Sequence, residues 1–125
     1  MTIESRAAVK NSVILVMGGA DSEIPQSMDG RVINSTSSCI TVGTLPEVDG
    51  ETSIILTDEK AVARSDPSLR AVFAGILFTA RKEISVYTVL LKPLATLPVS
   101  TVQTRVEVWL DNEVEPRKVC FVVGE

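Results

Sequence analysis

Apolar and polar residues alternate with a period of two along most of the chain, which is the pattern of half-buried strands, whereas helices need apolar residues three and four apart. The clearest stretch runs from Val102 to Asp111. Val102, Thr104, Val106, Val108 and Leu110 share one face there, and Gln103, Arg105, Glu107, Trp109 and Asp111 share the other. This predicts a strand with one face on the core and one wet face. Val119, Phe121 and Val123 resume the alternation after the charged segment 111–117, so the two strands are expected to pair as an antiparallel hairpin with a long loop.

Ala71 to Thr79 and Glu83 to Leu91 are β-rich runs joined by Ala80-Arg81-Lys82, and this spacing predicts a second hairpin. Val72, Ile76 and Phe78 fall on one face of the first run. Ile84, Val86 and Leu90 fall on one face of the second, with Tyr87 opposite beside Ser85 and Val89. Shorter strand candidates are Ser12 to Met17, Arg31 to Asn34, Cys39 to Val42 and Thr52 to Thr57, separated by turn-forming residues such as Gly18-Gly19 and Asp49-Gly50. One short helical connector is expected over Asp58 to Arg64, capped by Thr57 or Asp58 and stopped by Ser65-Asp66-Pro67. Pro93 and Pro98 bracket a segment suited to a sheet edge or a crossover, because neither proline can donate a ladder bond. About eight short strands with almost no helix point to an antiparallel β-sandwich filling one domain, 1–125, with a closed barrel as the competing architecture.

At 125 residues the chain suits one core, for which the area scaling rules give a folded surface of roughly 6,500 Å². A formal charge of −4 repels a phosphate backbone, so nucleic acid is not an expected partner, and an acidic surface suits either plain solubility or a basic partner. No apolar run reaches the length of a membrane span, and the N-terminal residues lack the charged lead and apolar core of a signal, so a cytoplasmic location is expected. The absence of histidine removes the commonest general base and metal ligand. Neither a G-x-S-x-G elbow nor an S-x-x-K dyad occurs, so no enzymatic activity and no cofactor are expected. Cys39 and Cys120 are the two cysteines. They lack zinc-type spacing, and spacing alone leaves open whether they are buried thiols or a disulfide.

Two acidic triplets, Glu47, Asp49, Glu51 and Asp111, Glu113, Glu115, have every-second-residue spacing. They are read as solvated turns, with a small-ligand or calcium site as the alternative. Met17-Gly18-Gly19-Ala20-Asp21 has neither phosphate-loop spacing, so its glycines are read as turn formers. The chain has one tryptophan, one tyrosine and three phenylalanines, and Tyr87 and Trp109 both fall on the wetter face of their strands. Tyr87, Arg105 and Trp109 are the candidate partner-binding residues, the last with the amphipathic character of an interface anchor. The competing reading makes Trp109 core, covered by the segment from Pro93 to Thr101.

The segments Val72 to Leu77, Ile84 to Val89, Leu97-Pro98-Val99 and Arg105-Val106-Glu107-Val108-Trp109 together resemble the strand, hairpin, strand, crossover pattern of the competence-type DNA-entry nuclease inhibitors, the competence protein J family. The resemblance spans the C-terminal half of the chain. It implies a small acidic β-sandwich that binds and blocks a protein partner, and no functional residue of the family maps onto these strands. A protein partner is thus the expected ligand, with a homodimer as the alternative.

Overall fold

In the computed structural model, which describes residues 1–19 and 22–124, the strands in chain order are β1 (Thr2–Ala7), β2 (Val13–Met17), β3 (Ile33–Ser35), β4 (Cys39–Gly43), β5 (Thr52–Thr57), β6 (Arg70–Phe78), β7 (Glu83–Thr88), β8 (Pro93–Pro98), β9 (Gln103–Leu110) and β10 (Lys118–Val123), with one short helix α1 (Lys60–Arg64) between β5 and β6. Sheet A has the order β1-β5-β10-β9-β6 and sheet B the order β3-β4-β2-β7-β8. The expected sandwich is present, with two more strands than the eight read from the pattern. β1 escapes a pattern search because Ile3 and Ala7 are its only apolar residues. β8 is the proline-bracketed edge, and it lies at the end of sheet B.

The inward faces of the two sheets meet in one cluster. Ile14, Val16, Ile40, Val42, Ile84, Val86 and Leu97 come from sheet B, and Ile54, Leu56, Leu77, Val106, Val108, Leu110, Val119 and Phe121 from sheet A. Alternation therefore placed β9 and β10 in the right register: Phe121 stands opposite Val108, and both are fully buried. The terminal hairpin is as expected. Its loop is ordered by its own polar side chains, since Asp111 Oδ1 accepts from the Arg117 and Lys118 amides and Asn112 Oδ1 from those of Val114 and Glu115. The total accessible surface, 6593 Å², agrees with the scaling expectation.

The second expected hairpin does not form. β6 pairs with β9 in sheet A and β7 pairs with β2 and β8 in sheet B, so the chain changes sheets between them. The reason is visible at the turn: the Thr79 amide donates to the Val102 carbonyl, while the Lys82 carbonyl accepts from the Val99 amide. The connection is thus held at both ends by the later segment 99–102, which itself passes from β8 in sheet B to β9 in sheet A. Two apolar strand faces can meet edge to edge in a hairpin or face to face across a sandwich, and the local pattern is the same in both. The face shared by Val72, Ile76 and Phe78 is also divided. A bulge between Ala71 and Phe73 turns Val72 toward the core cluster, and Ile76 and Phe78 face solvent. Val102 precedes β9 and is exposed.

One pairing departs from the antiparallel pattern: β10 runs parallel to β5. Gly18 is less a turn former than a point of close approach, because a Cβ there would lie 2.8 Å from the Phe78 carbonyl oxygen. Ala20 and Asp21 of the same segment lie outside the described residues. Among the described residues no helix is long and apolar enough to cross a membrane.

Phe121→Ala removes a ring with no exposure from the middle of the core and is expected to lower stability by about 3–5 kcal/mol. Chemical denaturation measures this loss. A change within about 0.5 kcal/mol, the scale of surface substitutions, contradicts the register of β9 and β10.

Candidate functional site

β5 and β10 are parallel, β10 and β9 antiparallel, and β9 and β6 antiparallel, so β5 and β6 point the same way in one sheet with two strands between them. A tight turn cannot join them. Segment 58–69 instead crosses the outer face of sheet A and carries α1 with it. Under this crossover lies a second apolar cluster of Ile55, Ala63, Leu69, Cys120 and Val122, against which Val62 and Trp109 pack.

Both ends of the crossover are pinned by ion pairs. At its start, Lys60 Nζ donates to Glu107 Oε2 at 3.1 Å. At its end, Lys118 Nζ donates to Asp66 Oδ2 at 2.7 Å. Glu107 takes two further donors, Arg105 Nη2 at 3.2 Å and Trp109 Nε1 at 3.1 Å. Burial by itself pushes the Glu107 carboxyl up, but the hydrogen bonds from Trp109, Lys60 and Arg105, with the Lys60 charge, outweigh it and hold the group below its ordinary range. The neighbouring Asp66 carboxyl is held at about 2, first by Lys118 and then by the Ser68 hydroxyl and amide.

The wet face predicted for β9 is therefore wet only at its first half. Gln103 and Arg105 are exposed, Glu107 is buried and Trp109 is half-buried. What covers Trp109 is the α1 crossover. The segment from Pro93 to Thr101, the cover expected from the sequence, is largely β8 and belongs to sheet B. Tyr87 is also in sheet B, half-buried against Leu15, Met17, Cys39 and Val89. Its neighbours Ile14 and Val16 face the interior, so this second cluster lies on the outside of sheet B. The structure brings Arg105 and Trp109 together through Glu107 and leaves Tyr87 on the opposite outer face of the sandwich.

Beside Arg105 the exposed half of sheet A falls into a groove of about 510 Å³ lined by Ile76, Val99, Thr101, Gln103 and Val123 among others. A smaller recess of about 310 Å³, with Lys60 and Glu107 in its wall, adjoins it at Asp58, Val123 and Gly124. Sequence reasoning missed Lys60, Glu107 and Ile76. A lysine opening the one helical segment and a glutamate between arginine and tryptophan were visible, but their meeting depends on the crossover.

The acidic loops do lie together, since the Leu45 amide donates to the Pro116 carbonyl. Even so, among the described residues no group of three or more histidine, cysteine, aspartate or glutamate side chains is arranged to hold a metal. Cys39 and Cys120 are free and buried. They sit in the outer clusters of sheets B and A respectively, with the whole sandwich between them, so the disulfide alternative does not hold. Burial pushes both thiols up to about 12, and they remain protonated and unreactive at neutral pH.

No protein-family model matches this sequence, and no curated protein matches it. Among solved structures the fold is similar to that of ComJ from Bacillus subtilis, described as an inhibitor of the DNA-degrading activity of NucA, with a TM-score of 0.65 and 10% identity. The match covers 100% of this chain and 95% of that one. The resemblance read from the C-terminal strands is thus a structural one that extends over the whole sandwich.

The low-lying carboxyls at the crossover make a pH prediction. Asp66 has its folded-state value at about 2 against an ordinary 3.8, and Glu107 also lies below its ordinary 4.5. Their stabilisation is complete above those ordinary values and is withdrawn as the pH falls toward 2. The melting temperature of the parent is expected to drop across this window. Asp66→Asn should start lower at neutral pH, fall less steeply, and approach the parent near pH 2; parallel curves for the two proteins contradict the assignment.

Proposed function

We propose that this chain is a non-enzymatic inhibitory domain that binds a protein, and that a DNA-degrading nuclease is its partner. The observation that carries the reading is the match of the entire sandwich, end to end, with a protein described as a nuclease inhibitor. The chemistry of the chain supports it. Histidine is absent, and the buried cysteines are held as thiols, so the groups that most often run hydrolytic chemistry near neutral pH are missing or silent. A nuclease must hold a polyanion and therefore presents a basic cleft, and a net charge of −4 favours encounter with such a surface.

The partner surface in this reading is the exposed half of the outer face of sheet A, centred on Arg105 with Trp109 at its border. Arg105 is half exposed while its guanidinium is held by Glu107, so a partner meets a fixed fork of donors at low entropic cost. Ile76 stands opposite Arg105 in the ladder and adds apolar area beside the charge. This mixture of an arginine, an aromatic border and an exposed aliphatic is the composition of a contact centre with a polar rim. Tyr87 belongs to the other outer face and takes no part.

Titrating the purified chain into a DNA-degradation assay, with NucA as the first nuclease, tests both levels. Inhibition saturating at a fixed stoichiometry and weakening with salt is expected. Arg105→Ala should raise the inhibition constant by about tenfold or more, as interface arginines do, while the fold stays intact with only the small loss of melting temperature expected from one partly exposed ion pair, and Tyr87→Ala should leave the inhibition constant unchanged. A nuclease that runs at full rate under a large excess of the chain defeats the reading. Equal inhibition by Arg105→Ala and the parent moves the contact to another face.

A further inference from the structure

The sandwich has four sheet edges, and three carry recognised protection against pairing with another chain. β1 presents Glu4 and Arg6, β3 is three residues long, and β8 begins and ends with proline. The fourth, β6, is nine residues long and has no charged residue from Ala71 to Phe78. It pairs only with β9. Ile76 and Phe78 on its outer face are 63% and 53% exposed.

Which backbone groups are available follows from the ladder. The Thr79 amide points to β9, where it donates to the Val102 carbonyl, and the Phe78 amide points the other way, to the Ser37 carbonyl. Backbone groups of an antiparallel strand alternate in direction, so the amides and carbonyls of Ala74 and Ile76 point to the open edge. Ser37 closes this edge at one end and the bulge at Val72 ends its regular run at the other. The open window is 73–77, and its midpoint is Gly75.

We infer that β6 is a self-association edge, on which a second copy of this chain adds its own β6 antiparallel about a two-fold axis at Gly75. In that register Ala74 faces Ile76 of the second copy, and Ile76 faces its Ala74. Both residues direct their amides and carbonyls across the junction, so every edge group in the window finds a partner. Gly75 meets Gly75 at the axis as a non-hydrogen-bonded pair, where opposed Cα atoms approach to about 4.5 Å and a residue without a side chain fits best. On the outer face each exposed isoleucine packs over the small alanine of the other copy.

The charges agree with a second copy as occupant. Ile76 is paired with Arg105 and Ala74 with Glu107, so each row across the junction runs from Arg105 through Ile76 to the second copy's Ala74 and Glu107. Opposite charges end each row, and none lies within the window to repel its symmetry mate. The result is a continuous sheet of two joined sheets A, with both Arg105 side chains on one outer face. This inference does not depend on the inhibitory reading.

Sedimentation velocity of the full chain, combined with amide hydrogen exchange, tests it. The expected result is twice the chain mass, with the Ala74 and Ile76 amides slowed in the dimer. Ile76→Lys changes an exposed side chain and should weaken dimerisation by at least about thirtyfold, the scale of a contact hot spot. Ala74→Pro removes an amide that β9 does not use and should act in the same direction. Val48→Lys, at a residue 89% exposed in a distant loop, should leave the dimer intact. A chain that remains monomeric at the highest attainable concentration overturns the inference, even if it inhibits a nuclease. So does a dimer that persists in both β6 variants, or one in which the two amides exchange freely.

Discussion

Two strands that run the same way in one sheet cannot be joined by a turn, and much of the outer surface of this protein follows from that constraint. β5 and β6 are parallel with β10 and β9 between them, so the chain has to cross the sheet on the side away from the core. The crossing segment brings Ala63 and Leu69 down onto Ile55, Cys120 and Val122. It thereby converts half of an otherwise wet sheet face into a second, smaller core. Apolar burial provides its adhesion, and the ion pairs at Lys60 and Asp66 set its position, a division expected because partly exposed ion pairs contribute little by themselves.

The geometry of the proposed contact surface depends on the same crossing. Had sheet A been bare, Trp109 would be one exposed aromatic in a row of polar residues, free to turn. Under the crossover its indole N–H is committed to Glu107, and Glu107 in turn holds Arg105. The exposed Arg105 is therefore held from beneath by a carboxylate whose own hydrogen bonds outweigh the cost of its burial. In the proposed reading such a surface would act by presenting fixed groups to a protein partner rather than by enclosing a small molecule.

The repeated acidic residues that suggested a calcium site are placed by local contacts. Asp111 and Asn112 spend their side-chain oxygens on backbone amides of their own loop. The 111–117 loop is thus ordered by local acceptor chemistry of its own side chains.

Period-two alternation was enough to determine an all-β fold, the inward register of Val106, Val108 and Phe121 and the terminal hairpin, and the cap and stop residues around 58–67 marked the short helical connector, because each is encoded within a few neighbouring residues. The proline pair at 93 and 98 likewise limited its segment to a sheet edge or a crossover, and the edge is what forms. Non-local pairing was beyond its reach. Nothing near Ala80-Arg81-Lys82 distinguishes a hairpin from a change of sheets, since that is decided by Val99 and Val102. Nothing near Trp109 reveals the helix that covers it, and the parallel meeting of β5 with β10 joins segments from opposite halves of the chain. Tertiary structure decided which of the wet-face residues stay wet, separating Tyr87 from Arg105 and Trp109, because side-chain alternation assigns a residue to a face but only strand order and crossover assign that face to solvent.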